Sequence, residues 1–416
     1  MNERFIEVCA NGKLNEAKHI YSNNQIDLYT NHHSCFRKAC LNNQLEIVKW
    51  LYPLDIWNIK ILEDNDVYDN ETPFCFCCRY GYSDIAKMLY LDFNINIHLK
   101  NNEAFDLACE NGHLEIAQWL YSLGGIDIHI DEEIGFRWSC HEGYLEIAKW
   151  LYSLGGVNIH INEEYAFRWS CDNGHLEVAK WLYSLGGIDI HIDNEYAFRN
   201  SCANGHLELV KWLYSLGGVN IHSEKEYAFR WSCEKRYFEI AKWLYSLGDV
   251  DIHINKEYAF CWSCINGHLE IAKWLYSLGG IDIHINDEMA FRSSCENGRL
   301  EIAKWFCSIC DNYEYTKENN DNDDGYTLIP IIKNTIEYYI KYKQWDKLVE
   351  KSKMIKDTNI ELEMCSICYD DANILTNCKH SYCIECLMTW YFTNDNCPYC
   401  KQNIKLDECK YKNFEM

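Results

Sequence analysis

Apolar residues recur between residues 1 and 310 with a period of 31 residues. A cysteine marks each period, and a phenylalanine stands four residues before each cysteine, one helical turn away. Seven residues are inserted between the second and third members; the cysteines are Cys9, Cys40, Cys78, Cys109, Cys140, Cys171, Cys202, Cys233, Cys264 and Cys295. A period of this length predicts one structural unit stacked about ten times.

Each unit is predicted to contain two short helices. In one unit, Phe167 and Cys171 share a face of the first helix, which ends at Asn173-Gly174 because glycine accepts a left-handed turn. The second helix, over residues 176–185, carries apolar residues at helical spacing and ends at two glycines. Because only a neighbouring unit can cover these apolar faces, the stack of units is the predicted fold.

The block Asn-Gly-His-Leu-Glu-Val-Ala-Lys at residues 173–180 recurs near residues 111, 204 and 266. It resembles the ankyrin repeat, and the resemblance covers roughly residues 1–310. It implies a mainly α-helical solenoid in which the recurring cysteine takes a small buried position. The units are shorter than the ankyrin period of about 33 residues, so we expect trimmed loops between them. The amino-acid sequence of the repeats is also similar to that of the ankyrin-repeat families encoded by giant viruses of amoebae.

Four pairs of metal-ligating residues lie near the C-terminus. They are seven cysteines and one histidine: Cys365, Cys368, Cys378, His380, Cys383, Cys386, Cys397 and Cys400. Two sulfurs on one tight C-x2-C turn can reach the same ion, and four thiolate or imidazole ligands close a structural zinc site. The array therefore predicts two zinc ions. Spacing alone allows either sequential or interleaved sharing of the four pairs.

This order of ligands resembles the C3HC4 form of the RING finger over residues 361–404. The resemblance implies a small zinc-bound α+β domain with interleaved sites. The first site would be Cys365, Cys368, Cys383 and Cys386, and the second would be Cys378, His380, Cys397 and Cys400.

RING fingers recruit a ubiquitin-conjugating enzyme (E2) through a shallow apolar groove. By resemblance, Ile367, Trp390 and Pro398 form this groove, and Lys401 takes the position of a basic side chain that contacts both the E2 and ubiquitin. The alternative interpretation is that Ile367 and Trp390 only fill a small core.

One position varies among repeats that are otherwise nearly identical, two residues before the core cysteine. It is Trp138, Trp169, Trp231 or Trp262 in four units, and Glu7, Lys38, Phe76, Leu107, Asn200 or Ser293 in the others. By resemblance to ankyrin stacks, this position faces the concave groove, where exposed tryptophans are strong binding anchors. The alternative is that these rings pack between neighbouring units.

The segment between the repeats and the finger is predicted in two parts. Residues 311–325 are interpreted as an acidic linker, because few apolar groups there offset the entropy of ordering. From Ile329 to Met354 the pattern is helical, and this helix would either cap the solenoid or pair with a partner helix. The predicted domains are the solenoid 1–310, an acidic linker and helical segment 311–360, the RING-type finger 361–404 and a C-terminal tail 405–416.

Charge and composition exclude several classes of partner. The net charge of −24 argues against binding to a nucleic-acid backbone, since no basic stripe is present to displace counterions. No apolar run of about 18 residues predicts a membrane span, and the first residues lack the features of a signal peptide. Twenty-four cysteines in such a chain favour a reducing compartment. We therefore expect a soluble intracellular protein in the cytoplasm, which is the host cytoplasm if the protein is viral.

Two further patterns have competing interpretations. Cys307 and Cys310 form another C-x2-C pair, which is either a pair of core or surface thiols or a redox or metal pair. Seven histidines recur at the repeat period, by repeat inheritance or as a metal ladder or pH switch: His98, His129, His160, His191, His222, His253 and His284.

The two resemblances together imply an E3 ubiquitin-protein ligase. The solenoid would select a protein substrate and the finger would bring the E2 to it. Such a ligase acts by proximity, and the sequence contains no nucleotide-binding glycine loop or nucleophile elbow that would indicate a catalytic side chain. The alternative is a non-enzymatic zinc-binding adaptor for protein interactions.

Overall fold

A computed structural model gives the structure of most of the 416 residues. It describes residues 2–51 apart from 27 and 29, residue 54, residues 72–98 apart from 94 and 96, residues 102–319, 326–333, and 347–412 apart from 349, 351, 358, 360, 370, 371, 392, 393 and 395. The chain divides into two compact units, Met1–Val250 and Asp251–Met416.

Ten helix pairs account for the repeats in the described part of residues 2–309. In the first unit they are α1 (Asn2–Ala10), α2 (Leu14–Asn23), α3 (Thr30–Leu41), α4 (Leu45–Leu51), α5 (Pro73–Arg79), α6 (Ser83–Phe93), α7 (Glu103–Glu110), α8 (Leu114–Ser122), α9 (Ile130–His141), α10 (Leu145–Ser153), α11 (Ile161–Asp172), α12 (Leu176–Ser184), α13 (Ile192–Ala203), α14 (Leu207–Ser215), α15 (Ser223–Glu234) and α16 (Phe238–Ser246). The second unit contributes α17 (Ile254–Asn266), α18 (Leu269–Ser277), α19 (Ile285–Glu296) and α20 (Leu300–Ile309). The predicted helical solenoid is confirmed.

The core of each repeat is built from the periodic residues. Helix α11, the inner helix of its pair, buries Phe167 and Cys171 completely, and the outer helix α12 buries Val178 and Leu182. Burying one such phenylalanine contributes roughly 1.5–3 kcal/mol. Burial raises the pKa of the Cys171 thiol, so this cysteine acts as a small neutral hydrophobe and not as a nucleophile.

The Asn-Gly-His motif lies between the two helices of a repeat and also contacts the next repeat. Gly174 follows α11 with a φ of 81°, a conformation that strains other residues. A β-carbon at Gly174 would stand 2.4 Å from Nδ1 of His206, which belongs to the next repeat. The other ring nitrogen of His206 lies 2.9 Å from the carbonyl oxygen of Asp172. Glycine is therefore needed both for the turn and for the close approach of the neighbouring histidine.

Aromatic pairs also link the outer helices of successive repeats. The ring of Trp181 lies 5.8 Å from that of Tyr152 at an angle of 89°, and 6.3 Å from that of Phe136 in the preceding repeat. Trp212 makes the same contacts with Tyr183 and Phe167. Edge-to-face pairs of this kind add about 0.5–1.5 kcal/mol each to the area that they bury.

Six of the inner helices, α9, α11, α13, α15, α17 and α19, begin with a left-handed turn that the sequence did not predict. In α11, Asn162, Glu163 and Glu164 have φ values of 50°, 56° and 61°. The left-handed helix costs roughly 1–2 kcal/mol per residue without glycine. Arg168 holds this turn, donating from Nε to the carbonyl of Glu163 at 2.6 Å and from Nη2 to that of Asn162 at 3.0 Å. Residues 102–309 contain no strand, so compact turns join the repeats there.

A β-hairpin follows the last repeat in the second unit. Strands β1 (Tyr313–Asn319) and β2 (Tyr326–Ile332) pair antiparallel, with Tyr313 opposite Ile332. The predicted linker is therefore wrong for residues 313–319, and the predicted helix is wrong for residues 329–332. The remainder of that predicted helix lies mostly outside the described residues, which resume at residue 347.

Tyr313 attaches the hairpin to the last repeat. Its ring, 2% exposed, stacks on Phe291 at 4.4 Å. Its hydroxyl donates to the Glu288 carboxylate and lies 3.0 Å from Nδ1 of His284. Strand β2 packs against α19 and β1 against α20. The hairpin thus covers a face of the last repeat and takes the capping role, which was one of the two roles predicted for a helix in this segment.

The cysteine-rich domain is larger than predicted. Its sheet has the order β3-β6-β4-β5, formed by β3 (Ile355–Lys356), β4 (Ile374–Leu375), β5 (Ser381–Tyr382) and β6 (Lys410–Tyr411). Helix α21 (Ile384–Tyr391) completes a core that also buries Leu348, Met354, Leu406 and Cys409. These four residues lie outside the predicted bounds of 361–404, and the prediction of a tail from residue 405 is wrong for residues 406–411.

Within the described residues, no helix combines the length and the hydrophobicity that crossing a bilayer requires.

Candidate metal centre

The first ligand group joins the turn before β4 to the start of α21. The Sγ atoms of Cys365, Cys368, Cys383 and Cys386 all lie within 4.8 Å of one another, and those of Cys368 and Cys383 are 3.7 Å apart. Four sulfurs bound tetrahedrally at about 2.3 Å from one zinc ion stand about 3.8 Å apart. The spacing of this group therefore fits a closed zinc site.

The second ligand group contains the histidine. The ligand atoms of Cys378, His380, Cys397 and Cys400 also lie within 4.8 Å of one another. Nδ1 of His380 is 3.4 Å from Sγ of Cys378 and 3.7 Å from Sγ of Cys397. A tetrahedral zinc ion would place such nitrogen–sulfur pairs about 3.6 Å apart. The first and third ligand pairs thus share one group, and the second and fourth share the other, which is the interleaved arrangement.

Tight turns present two of the three C-x2-C pairs in the ligand groups, Cys365 with Cys368 and Cys397 with Cys400. In each, the residue after the second cysteine has a left-handed conformation: φ is 64° at Tyr369 and 62° at Lys401. The backbone N–H of Tyr369 donates to the carbonyl of Cys365, and that of Lys401 to the carbonyl of Cys397, both at 3.0 Å. These bonds close each C-x2-C loop and direct both sulfurs to the same side.

The acidity of the thiols shows why each group suits a cation. Burial raises the pKa of Cys397, but N–H groups of Cys400 and Tyr399 and the hydroxyl of Tyr382 outweigh it and lower the pKa to about 7. Burial and neighbouring sulfurs raise the pKa of Cys378 to about 11. Thiols this close together cannot all ionise without a compensating positive charge. A divalent cation supplies that charge and deprotonates its thiol ligands.

Two hydroxyl groups support the second ligand group, and the sequence reasoning missed both. The hydroxyl of Tyr382, a fully buried residue, lies 3.1 Å from Sγ of Cys397, and Oγ1 of Thr376 lies 3.1 Å from Sγ of Cys378. Burial also raises the pKa of Tyr382, which keeps its hydroxyl protonated as a donor. The only indication of these roles in the sequence was that Thr376 lies two positions, and Tyr382 one position, before a predicted ligand. Such outer contacts orient ligands and tune a metal site.

The side chains that were predicted to bind an E2 lie on both cysteine turns and on α21. Nζ of Lys401 donates to the carbonyl of Pro398 at 3.0 Å and lies 5.3 Å from the ring of Trp390. The indole N–H of Trp390 donates to the carbonyl of Asn396 at 2.8 Å. Ile367, on the first turn, is 39% exposed. Lys401 is therefore held beside Trp390 and Pro398, and much of the Ile367 side chain faces solvent.

The four tryptophans predicted as a partner surface are all half-buried. Trp138 and Trp169 lie on either side of His141, with ring centroids 4.7 Å and 5.2 Å from the imidazole. Trp231 stacks on Tyr227 at 5.5 Å, and Trp262 lies 5.8 Å from Tyr258. Trp169 also lies 5.7 Å from Tyr165 and 6.2 Å from Tyr196 of the next repeat. Each ring thus packs against its own or a neighbouring repeat.

The two remaining candidate patterns lie apart from the metal groups. In the described part of the chain, Cys307 and Cys310 belong to no cluster of three or more metal-ligating side chains. Six of the seven periodic histidines pair with a glutamate four residues later; Nδ1 of His191 lies 3.0 Å from the Glu195 carboxylate, for example. The seventh, His98, lies 2.9 Å from the side-chain oxygen of Asn102 instead. The Glu195 carboxylate also accepts the backbone N–H of Asn220 in the next repeat at 3.2 Å. The pairs therefore connect repeats.

Comparison with known families agrees with this two-part organisation. A model of ankyrin repeats in three copies matches six overlapping stretches from residue 36 to residue 323, which is more than half of the chain. The model of the RING finger domain matches residues 363–401.

Curated relatives match a short stretch of the chain. E3 ubiquitin-protein ligase AIRP2 of Arabidopsis thaliana is 33% identical over 67 residues, 16% of this chain and 27% of AIRP2. E3 ubiquitin-protein ligase RHF2A of the same plant is 37% identical over 51 residues, 11% of this chain and 14% of RHF2A. The chain thus spans about a quarter or less of the length of these relatives.

Proposed function

Because the chain belongs to the ankyrin-repeat family and ends in a RING-type finger, we propose that it is an E3 ubiquitin-protein ligase. The repeats bind the substrate protein and the finger binds an E2. The observation that carries this proposal is the pair of interleaved Cys/His groups within the stretch that matches the RING finger model. The names of the similar plant ligases support the same activity.

Each ligand group holds one zinc ion in this proposal, two per chain. The first ion binds Cys365, Cys368, Cys383 and Cys386, and the second binds Cys378, His380, Cys397 and Cys400. Zinc at these sites supplies folding free energy to a domain whose apolar core is small. The chain's own side chains then perform the recognition.

The E2 binds at Ile367, Trp390 and Pro398 in this proposal. Ile367 offers an exposed apolar side chain, and Lys401 is positioned by Pro398 and Trp390 to donate hydrogen bonds to the E2 and to ubiquitin. The ligase holds the E2-bound ubiquitin next to a lysine of the substrate. Transfer is accelerated because the reacting groups are held together, and no side chain of the ligase forms a covalent intermediate.

The similarity of the repeats to those of giant viruses of amoebae extends the proposal to the setting of the reaction. If the protein is viral, the E2 and the substrate are proteins of the host cytoplasm. Ubiquitination assays with amoebal rather than bacterial extracts as the source of E2 test this extension.

An ubiquitination assay tests the ligase activity. With ubiquitin, activating enzyme and a panel of E2 enzymes, the intact zinc-loaded protein should form conjugates, at least on itself. Ile367→Ala should abolish them without releasing zinc, because Ile367 is not a ligand. Ile355→Ala is the matched control, since Ile355 is also exposed, at 47%, but lies on β3. If no E2 in a broad panel responds, the protein is an adaptor; if Ile367→Ala stays active, the proposed contact surface is wrong.

A further inference from the structure

Helices α9 and α11 of the first unit carry a continuous aromatic surface. The His141 imidazole lies between two indoles, 4.7 Å from that of Trp138 and 5.2 Å from that of Trp169. All three side chains are half-buried, so each ring keeps part of its surface in solvent. We call these three residues, with Glu142 and Asp172, the inner-helix strip.

Two carboxylates flank the rings of the strip. Oε1 of Glu142 lies 2.7 Å from Nδ1 of His141, and the Glu142 side chain is 41% exposed. The Asp172 carboxylate accepts a hydrogen bond from Nδ2 of Asn204 at 3.1 Å and interacts electrostatically with His206 and His141. The strip therefore combines electron-rich ring faces with negative charge, in a chain whose net charge is −24.

The arginines on the two helices that carry the strip are already engaged. The guanidinium of Arg137 lies 4.8 Å from the ring of Tyr165 and donates to the carbonyls of Asp131 and Glu132. Arg168 makes the equivalent bonds and lies 4.9 Å from the ring of Tyr196. Both cations hold left-handed turns, so neither neutralises the carboxylates of the strip.

A third repeat of the same unit shows what fits over such an indole. Trp231 occupies the same repeat position as Trp138 and Trp169, and Nζ of Lys235 lies 5.3 Å from its ring centroid. At the same offset of four residues, Trp138 is followed by Glu142 and Trp169 by Asn173. Trp231 therefore has a cation from the residue that follows its own helix, whereas the two indoles of the strip have none at that position.

We propose that the inner-helix strip binds a lysine or arginine side chain of a basic segment in the partner protein. The cation would lie against an indole face of Trp138 or Trp169, with Glu142 and Asp172 as its counter-charges. This inference rests on the proposed role of the repeats as the substrate-binding part, and it specifies the chemistry of the substrate. Aromatic faces and carboxylates together favour a basic segment over a neutral apolar one.

Binding of labelled peptides to the intact zinc-loaded protein tests the proposal. An alternating Lys-Ser peptide should bind, and the matched Glu-Ser and Gln-Ser peptides should not. Trp169→Ala and Trp138→Ala should each weaken binding by about two- to fivefold, the size of an exposed cation–π contact. Trp231→Ala is the matched control and should leave the affinity unchanged, because Lys235 already occupies that face.

Charge controls separate this site from general attraction to an acidic protein. Glu142→Gln should weaken binding, whereas Glu177→Gln should not, although it removes the same charge from α12. Lys235→Ala should strengthen binding, because it uncovers a third indole. Equal effects of Glu142→Gln and Glu177→Gln, equal effects of Trp169→Ala and Trp231→Ala, or equal binding of the Gln-Ser peptide would each overturn the proposal.

Two measurements keep these outcomes interpretable. Trp169→Phe preserves ring packing and should still weaken binding, which covers the case in which Trp169→Ala disturbs the fold. Self-ubiquitination is measured on the same variants and should be unchanged, because the strip lies outside the finger. If the wild-type protein binds the three peptides equally but still ubiquitinates itself, only the basic-segment site is refuted. If the wild-type protein is inactive with every E2, the proposed ligase activity is refuted.

Discussion

At the scale of single residues, the second ligand group depends on side chains that are not ligands. Tyr382 and Thr376 bring hydroxyl groups to within 3.1 Å of Cys397 and Cys378, respectively. A thiolate that accepts a hydrogen bond carries less uncompensated charge, and its direction toward the ion is fixed. The first group has its sulfurs near backbone N–H groups, such as that of Cys386 to Sγ of Cys383 at 3.4 Å. The two ligand groups should therefore respond differently to loss of a hydroxyl.

We predict that Tyr382→Phe weakens zinc binding at the second ligand group by about 10- to 100-fold, the usual effect of removing an outer contact. The variant keeps the buried ring and loses only the donor to Cys397. Competition with a zinc-binding dye should show one ion released earlier and the other unchanged. Tyr399→Phe is the control, because Tyr399 is 74% exposed. Identical release curves for wild type and Tyr382→Phe would show that the hydroxyl does not support the site.

Another residue-scale prediction concerns the left-handed turns. Arg199 holds the turn of α13 with hydrogen bonds of 2.6 Å and 2.9 Å to the carbonyls of Asn194 and Asp193. The equivalent residue of α17 is Cys261, whose sulfur lies 3.9 Å from the carbonyl of Lys256. Cys261→Arg should therefore stabilise α17 by about 1–3 kcal/mol, the contribution of hydrogen bonds from a charged donor. Hydrogen exchange of α17 amides measures this.

The reverse substitution is the matched test. Arg199→Cys should reduce the protection of α13 amides by a similar amount, since it recreates the bonding of Cys261 in another repeat. The site can accept arginine, because Arg230, at the same repeat position, is only 8% exposed. If Cys261→Arg destabilises α17, the arginines fill space in the other repeats and do not compensate the turn.

At the scale of elements, periodicity predicted the helix pairs because each repeat carries the same buried residues at the same spacing. The left-handed turns could not be predicted, since none of their residues is glycine and they are stabilised by side chains from elsewhere in the repeat, such as Arg168. The hairpin was missed for a different reason. Strand β1 reads Tyr-Glu-Tyr-Thr-Lys-Glu-Asn, a polar stretch in which Tyr313 is the one buried side chain among residues 313–318. Strand β2 contains Pro330, which is unusual within a strand.

The prediction of the finger was also incomplete at the level of its secondary-structure elements. Ligand spacing predicted which residues come together, because tight turns dictate which sulfurs can meet. The strands β3 and β6, of two residues each, are too short for any alternation of apolar and polar positions to be recognised. Leu348 and Cys409 are fully buried by contacts distant in sequence, so nothing local distinguished them from a linker or tail.

We predict that Tyr313→Ala destabilises α19 and α20 by about 3–5 kcal/mol, the cost of deleting a buried aromatic side chain. Tyr313→Phe keeps the stack on Phe291 and loses the hydroxyl bond to Glu288, so it should cost about 1–3 kcal/mol. Hydrogen exchange of the amides in α19 and α20 distinguishes the two variants. Thr316→Ala, at an exposed position of β1, is the control. Full protection of α19 in Tyr313→Ala would show that the hairpin is not a cap.

At the scale of the whole molecule, two different sources of stability operate in one chain. Each repeat buries a phenylalanine, a cysteine and several aliphatic residues, and within the described residues buried thiols such as Cys140 and Cys233 belong to no cluster of metal-ligating side chains. The finger buries a smaller core and brings together sulfurs that only a cation can hold as thiolates. Removal of metal should therefore separate the two parts.

We predict that the native protein contains two zinc ions and that a chelator removes both while the repeats stay folded. Hydrogen exchange should show lost protection over residues 347–412, including β3 and β6, because those strands share the core that the ligand groups organise. Protection over residues 102–309 should be unchanged, since their cores need no metal. Restoring zinc should restore the finger. If chelation also exposes the repeats, their stability depends on metal; if β3 and β6 stay protected, the finger ends at the narrower bounds that its ligand spacing predicts.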